Sequence, residues 1–322
     1  MKMLVTGGAG FIGSNFINYW LNKNKEDYIV NIDKLTYAAN PEYINYKLFE
    51  GRYKLINGDI NNINLMDGLI KDSDVIINFA AESHVDNSIK SSEEFIKSNY
   101  FGVYNILELI RKYDKRFHQI STDEVFGSLK YNSKKIFSEN TKYNPENPYS
   151  ATKAGADFLV KSYINTYNIN ATISNCSNNF GPNQNKEKLI PKTILNALKN
   201  DKIPVYGNGL QIRDWIYVYD HCSGLETVIR KGKIGKSYLF SSRNEIRNID
   251  IIKKILHILN KSESLISYVN DRPGHDIRYA INPDKTEKEL GWKSEYDFDD
   301  ALKLTVEHYI NNKNIYNAKD LL

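Results

Sequence analysis

A doubly wound parallel α/β sheet with a smaller C-terminal lobe is the fold predicted for this 322-residue chain. Three observations carry the prediction. Through the first half, short continuous apolar runs alternate with longer segments of helical period. A glycine-rich turn directly follows the first run and opens the first helical segment. After about Gly181 the alternation weakens, which marks the passage to a second lobe. Strands alternating with helices need right-handed crossovers and a sheet covered on both faces. Strands buried on both faces are continuously apolar, as these are.

In order along the chain, Lys2–Thr6 is the first strand and Phe11–Leu21 the helix after the glycine turn. Tyr28–Ile32, Tyr53–Ile56 and Val75–Phe79 are the next strands, each short and rich in β-branched or aromatic residues. Glu94–Lys112 has the length and period of a helix, Phe117–Ser121 is the fifth strand, Ala151–Tyr167 a helix and Ala171–Ser174 the sixth strand. In the second half Leu189–Leu198 and Asn248–Leu259 read as helices, interrupted by the loops Pro204–Gly209 and Asp271–Asp276. Residues 1–182 are therefore expected to form the sheet domain, with 183–212 and 244–322 forming the smaller lobe. Residues 213–243 are expected to return to the sheet domain through Trp215–Val218 and Ser237–Phe240.

Composition narrows the function classes. Hydrophobic residues make up 41% and charged residues 25%, the balance of an ordinary globular protein. The net charge of +4 comes without a dense basic run, so no nucleic-acid partner is expected. No apolar run approaches the ~20 residues of a membrane span, so no membrane partner is expected either. Cys176 and Cys222 are the only cysteines, too few for a disulfide framework, and are expected to be core thiols. With a strand starting at the N-terminus, where a signal peptide would lie, the predicted location is cytoplasmic.

The turn Gly7-Gly8-Ala9-Gly10-Phe11-Ile12-Gly13 holds two overlapping glycine fingerprints. Glycines permit a tight turn and close approach of backbone to a pyrophosphate, which then meets the N–H groups of a helix N-terminus. Asp33 closes the second strand, 20 residues beyond Gly13, where a carboxylate can accept hydrogen bonds from adenosine ribose hydroxyls. Its charge repels a 2′-phosphate, so NAD is expected rather than NADP, although Lys34 adjoins it. Asp59 and Ile60 are expected beside the adenine. Ala80 and Ala81, small residues ending the fourth strand, are expected to let the cofactor lie close.

Two further segments carry chemistry. Thr122, Asp123 and Glu124 follow the fifth strand, at the carboxyl-end edge where open parallel sheets bind ligands. Tyr149 and Lys153 are four apart and share one helix face. A nearby ammonium lowers the ordinary phenol pKa of ~10, so Tyr149 becomes a base for a hydroxyl proton. Asp123 and Glu124 supply an acid and a base, which hydride transfer alone does not need but loss of water does. The bland alternatives are a turn cap for one carboxylate and an incidental surface Tyr and Lys. His84 has no second histidine at ligand spacing, so no metal is expected. Its loop, with Ser83 and Asp86, is placed beside the sugar.

The chain resembles the extended short-chain dehydrogenase/reductases, and among them the dTDP-glucose 4,6-dehydratases, over nearly its whole length. The likeness rests on Thr6–Ser14, Asp33–Ala38, Ala80–Ser88, Ser121–Gly127, Pro148–Ala156, Cys176–Pro182, Lys188–Pro191, Gln211–Trp215 and Asp271–Ala280. It implies NAD as cofactor and dTDP-glucose as substrate. Tyr149, assisted by Thr122 and Lys153, would take the O4 proton as hydride leaves C4. Glu124 would remove the C5 hydrogen, Asp123 would protonate the C6 hydroxyl, and hydride would return to C6. The product implied is dTDP-4-keto-6-deoxy-glucose, a precursor of rhamnose-type sugars. The likeness places Asn179, Lys188 and Leu189 against the nucleotide diphosphate, together with Pro204, Tyr206, Arg213 and Asn248. Arg213 and Arg272 are suited to bidentate pyrophosphate binding, with His275 a weaker contact. It also implies a homodimer through the helices Glu94–Lys112 and Ala151–Tyr167. Four positions depart from the usual pattern: Asn87, Phe126, Asn175 and Phe180.

The competing readings are a UDP-glucose 4,6-dehydratase, a nucleotide-sugar 4-epimerase, a decarboxylase and a non-enzymatic NAD sensor. An epimerase has no use for Asp123 and Glu124, and Asp123 would repel the carboxylate that a decarboxylase must hold. One methyl separates thymine from uracil, worth only ~1–3 kcal/mol in a pocket. The five chemical residues argue against a sensor.

Overall fold

The apolar runs assemble into a seven-stranded, wholly parallel sheet in the computed structural model, which describes residues 1–271 and 273–317. Its strands are β1 (Lys2–Thr6), β2 (Tyr28–Asp33), β3 (Tyr53–Asn57), β4 (Val75–Asn78), β5 (Arg116–Thr122), β6 (Ala171–Cys176) and β7 (Ser237–Phe240). Their spatial order is β7-β6-β5-β4-β1-β2-β3. The order reverses between β1 and β4, which opens a crevice at their carboxyl ends. Side chains alternate across the sheet. Met3 and Val5 of β1 join Phe16, Trp20 and Leu225 on one face. Leu4 joins Ile106, Leu107 and Val160 on the other.

A buried polar ladder ties the middle strands in register. Thr6 Oγ1 donates to Asn78 Oδ1 at 2.5 Å, and Asn78 Nδ2 donates to Gln119 Oε1 at 2.8 Å. Both contacts join residues that are direct partners in the ladders β1–β4 and β4–β5. A one-residue slip would strand these groups without partners, at a cost of about 1–3 kcal/mol each.

The second lobe packs the helices Leu189–Lys199, Asn248–Ile258 and Phe298–Asn311 around Phe180, Trp215 and Tyr217. A parallel pair, Ile203–Tyr206 with Ile266–Val269, closes its far side. Of the two segments expected back in the main sheet, Ser237–Phe240 pairs with β6. The other, Trp215–Val218, instead ends the strand Ile212–Tyr217 and begins the helix Val218–Lys231; that strand lies between Asn178–Phe180 and Glu245–Arg247 in a separate three-stranded sheet. The reason is local. Beyond Cys176 the chain continues as a second strand edge, and Phe180 packs its ring on Trp215 and Tyr217.

Helices at Ile63–Lys71, Val218–Lys231 and Phe298–Asn311 were not expected from periodicity. In Val218–Lys231 the apolar stripe is broken by buried Asp220, His221 and Glu226. Each has a tertiary partner: Asp220 accepts from the N–H groups of Glu295 and Tyr296, Glu226 accepts from Tyr19 and Lys23, and His221 Nδ1 meets Asn179 Oδ1, while His221 Nε2 has no partner among the described residues. The predicted helix at Glu94–Lys112 is three pieces: Glu93–Ile96, a π-helical turn Lys97–Phe101 and Gly102–Tyr113.

Candidate active site

One cleft runs along the carboxyl ends of the strands, from the glycine turn to the start of the helix Pro148–Tyr167. At the first end, the cleft is backbone. Gly7 has φ +70°, and a Cβ there would sit 2.5 Å from Ala80 N. A Cβ on Gly13 would sit 2.6 Å from the Gly7 carbonyl. The helix Phe11–Lys23 has Gly10 as its N-cap, so no side chain caps its first N–H groups. Such an end is a ready anion site. Asp33 is 8% exposed and accepts from Ala9 N–H at 2.9 Å and Leu35 N–H at 2.8 Å. Burial raises its pKa, against those two bonds. Lys34, its neighbour, is directed to Asp59 at 3.1 Å and Glu94 at 3.6 Å.

At the other end, the cleft is side chains. Asn147 caps the long helix: its Oδ1 accepts from Ser150 N–H at 2.9 Å, Ser150 Oγ accepts from Asn147 N–H at 3.2 Å, and Pro148 occupies the first turn. This fixes Tyr149 and Lys153 one turn apart. Lys153 is 4% exposed and donates to the Ile120 carbonyl at 2.7 Å. Burial lowers its pKa, opposed by the charge of Asp157. Tyr149 is held well above the usual phenol range by burial first, then by the Glu124 charge. The hydrogen bond from Thr122 pulls it the other way.

Thr122 caps the turn Asp123–Phe126, accepting from Glu124 N–H at 3.3 Å and donating to Asp123 Oδ1 at the same distance. Asp123 is 2% exposed, and its Oδ2 is buried without a hydrogen-bond partner among the described residues. Burial, and then the charge of Glu124, hold its carboxyl well above the usual range. Arg213 opposes that rise weakly. Asp123 is thus poised as an acid beside the Glu124 carboxyl.

The structure brings together all five residues predicted for chemistry, and the cofactor candidates Gly7, Gly10, Phe11, Ile12, Gly13, Asp33, Lys34, Asp59, Ile60, Ala80 and Ala81 line the same cleft as Tyr149 and Lys153. Ser83, Asn179 and Lys188 line the same cleft. Lys188 Nζ donates to the Ser83 carbonyl at 3.0 Å, and Asn179 Oδ1 meets His221 Nδ1 at 3.0 Å. The remaining positions lie around it. His84 Nδ1 is 3.7 Å from Glu187, and Tyr206 donates to Asp86 at 3.1 Å. His275 meets Asp271 at 2.6 Å. Leu189 and Asn248 begin two second-lobe helices, and Pro204 lies in a strand of that lobe. Arg272 falls outside the described residues.

Arg213, expected at the pyrophosphate, is buried. It is 5% exposed, donates to the carbonyls of Ile212 and Asp276 at 2.9 Å each, and lies over the Tyr279 ring. Cys176 and Cys222 both belong to the buried core, as expected, and Cys176 in addition lines the cleft, with burial pushing its thiol up to about 12. No cysteine motif signals the difference. The departures have partners too. Phe126 stacks on Phe137 and Phe180 packs on Phe298, settings with no need of a hydroxyl. Asn87 donates to the Tyr37 hydroxyl at 3.3 Å, and Asn175 donates to the Thr122 carbonyl at 3.0 Å.

A parallel sheet with this switch-point cleft, glycine turn and Tyr-Lys pair defines a dinucleotide-binding protein of the extended short-chain dehydrogenase/reductase class. The family model for GDP-mannose 4,6 dehydratase matches residues 4–305, and the chain belongs to that family. It is 43% identical over 314 residues to a dTDP-glucose 4,6-dehydratase of Mycobacterium tuberculosis strain H37Rv, covering 97% of this chain and 94% of that protein. Among solved structures, a dTDP-glucose 4,6-dehydratase of Bacillus anthracis in complex with NAD is 41% identical, with TM-score 0.92 and 99% of each chain covered. One of Streptomyces venezuelae, with NAD and TYD bound, is 35% identical, with TM-score 0.95 and 99% of each chain covered.

Proposed function

We propose that this protein is an NAD-dependent dTDP-glucose 4,6-dehydratase of deoxysugar biosynthesis, forming dTDP-4-keto-6-deoxy-glucose. The observation that carries the reading is Asp123: a buried carboxyl with an unpartnered oxygen, its pKa raised by burial, beside Glu124 and the Tyr149–Lys153 pair. Relatives of that name at 43% and 41% identity support it.

The glycine turn, the uncapped helix end and the Asp33 carboxylate fit NAD. Lys34 is directed to Asp59 and Glu94, so it does not offset the repulsion of a 2′-phosphate by Asp33. When bound, NAD⁺ supplies the acceptor for the C4 hydride, which is later returned to C6. The chain's residues handle protons. Tyr149, assisted by Thr122 and Lys153, takes the proton of the sugar O4. Burial and the Glu124 charge oppose ionisation of that phenol, so positive charge must offset them; Lys153 lies one turn away and the oxidised nicotinamide adds its own. With C4 a ketone, the C5 hydrogen is acidic and Glu124 removes it. Asp123 gives its proton to the C6 hydroxyl, and water departs with the C–O bond electrons. C5 then regains a proton as hydride reaches C6.

Residues 1–182, with Ser237–Phe240, serve the cofactor, and 183–212 with 244–322 hold the nucleotide. Tyr100, Phe101, Tyr104 and Phe158 expose apolar rings on the helical face of the sheet domain, and a second copy of the chain would cover them as a homodimer. No described helix is long and apolar enough to cross a membrane, and the protein works in the cytoplasm on this reading.

The test is a panel of nucleoside-diphosphate glucoses with purified protein and no added reductant. A 4-keto-6-deoxy product from dTDP-glucose, formed faster than from UDP-glucose, is expected. Preference for UDP-glucose would move the protein to the uridine enzyme, and a requirement for stoichiometric NADPH would overturn the reading.

A further inference from the structure

The helix Pro148–Tyr167 carries a third buried ionisable group on the face of Tyr149 and Lys153. Asp157 lies one turn beyond Lys153, is fully buried, and takes part in none of the proposed steps. Its setting is built for a carboxylate. Oδ2 accepts from Ser121 Oγ at 2.6 Å, from the Tyr143 hydroxyl at 3.0 Å and from Asn175 Nδ2 at 3.4 Å. Neighbouring bonds fix these directions. Asn175 Nδ2 also donates to the Thr122 carbonyl, so the amide nitrogen is the atom turned to Asp157. Lys161 Nζ donates to the Tyr143 hydroxyl oxygen at 3.2 Å, which leaves the Tyr143 hydrogen for Asp157. Asp157 Oδ1 is buried with no hydrogen-bond partner among the described residues. Three converging donors suit an ionised carboxylate, whereas a protonated carboxyl needs an acceptor for its own hydrogen.

That charge stands between two cations of the same helix. Lys153 and Lys161 lie four residues before and after it, a spacing that sets Cβ atoms about 5–6 Å apart. Lys161 is half-buried and lies 4.3 Å over the Tyr143 ring. Lys153 is the more dependent of the two. It is buried, its Nζ donates to the uncharged Ile120 carbonyl, and an ammonium is costly to bury without a counter-charge. Of the groups facing the pair, Ser121 of β5, Asn175 of β6 and Tyr143 of the preceding loop are neutral donors. The Cys176 thiol of β6 is pushed up to about 12 by burial, so it stays neutral as well. Burial raises the Asp157 pKa, and the Lys153 charge is the first influence to oppose that rise.

We infer that Asp157 is a positioning residue of the reaction: the buried counter-charge that keeps Lys153 an ammonium, through which Lys153 in turn favours the Tyr149 phenolate. Asp157 is not among the residues lining the cleft, so it acts only through Lys153. Its effect on turnover rests on the dehydratase reading, whereas its effect on the titration of Lys153 does not.

The experiment follows both groups by NMR in purified protein without added ligand, using isotope-labelled lysine side chains and aspartate carboxyls. Lys153→Met and Asp157→Glu identify the two signals by their loss. An opposite charge at this range displaces a titration by about 1–3 pH units. Lys153 is therefore expected to lose its proton about 1–3 pH units lower in Asp157→Asn than in wild type, and close to the wild-type value in Asp157→Glu, which keeps the charge. Proton coupling is reciprocal, so Lys153→Met should raise the Asp157 titration by the same amount. That arm decides the matter if Asp157→Asn does not fold. Turnover of dTDP-glucose is compared as the ratio of kcat in Asp157→Asn to kcat in wild type across pH, in which the limb belonging to Asp123 cancels. Lys153 acts in its charged form, so the ratio should be highest at low pH and fall about 10-fold or more as pH rises through the lowered Lys153 value. A merely structural role would instead lower Tm, leave Lys153 titrating as in wild type and give a ratio independent of pH. That result, or an unmoved Asp157 titration in Lys153→Met, overturns the inference. If wild type does not turn over dTDP-glucose, the function reading fails while the two titrations still decide the role of Asp157.

Discussion

The two ends of the cleft are made of different materials. At the glycine turn the site is bare backbone: Gly7 and Gly13 have no space for a Cβ, and the helix end keeps its N–H groups uncovered. At the carboxylate end the site is buried side chains: Asp123, Tyr149 and Lys153 are all less than 9% exposed, and burial displaces the pKa of each. The first end discriminates by shape and the second by charge. Shape tolerates no methyl group, whereas charge tolerates an isosteric swap structurally and loses its chemistry.

Substitutions at each end therefore sharpen the comparison. The largest effect is expected from Gly13→Ala. A Cβ 2.6 Å from the Gly7 carbonyl forces backbone apart, so NAD binding should fall below detection in calorimetry while the fold, measured by circular dichroism, persists. Retained binding would mean that the turn is not the pyrophosphate cradle.

Asp123→Asn comes next. It keeps the shape and removes the proton, and loss of a general acid costs about 10²–10⁴-fold in kcat. NAD affinity should stay at the wild-type value. The sign of the pH dependence follows from the raised pKa: the acid is loaded at low pH and is lost as pH rises through that raised value. Wild-type kcat should thus fall on the alkaline side, and the variant should lack that limb. An unchanged pH profile in the variant would remove Asp123 from the acid role.

Asp33→Ala should have a smaller effect. It deletes two charge-assisted bonds, to Ala9 and Leu35, that hold the turn. A net ~1.5–3 kcal/mol corresponds to about 10- to 100-fold in the Kd for NAD. NADP should gain relative to NAD, because a charge that repels a 2′-phosphate is gone. Equal loss for both cofactors would confine Asp33 to shaping the turn.

The difference between the ends also explains what was legible in the chain. The backbone end is written locally: Gly7, Gly10 and Gly13 follow a strand, and Asp33 ends the next one. Asp123, Glu124, Tyr149 and Lys153 were legible as residue types at a strand end and a helix start. Their protonation states were not, since these come from burial and from groups distant in sequence such as Asp214. The burial of Arg213 was not legible either, since it comes from residues distant in sequence such as Tyr279, whose ring it lies over. Strand Ile212–Tyr217 was misplaced for a similar reason. Its partner edge exists only once the chain has left the main sheet at Cys176.

The central claim is that oxidation at C4 and loss of water are separate steps run by separate residues. Glu124→Gln tests it most directly, with dTDP-glucose added to the NAD-loaded variant in deuterated water and the near-ultraviolet absorbance followed. The account predicts that reduced cofactor accumulates in Glu124→Gln and not in Tyr149→Phe, and that the wild-type product carries solvent deuterium at C5. A wild-type product with no deuterium at C5, or Glu124→Gln turning over at the wild-type rate with no reduced cofactor building up, would contradict it.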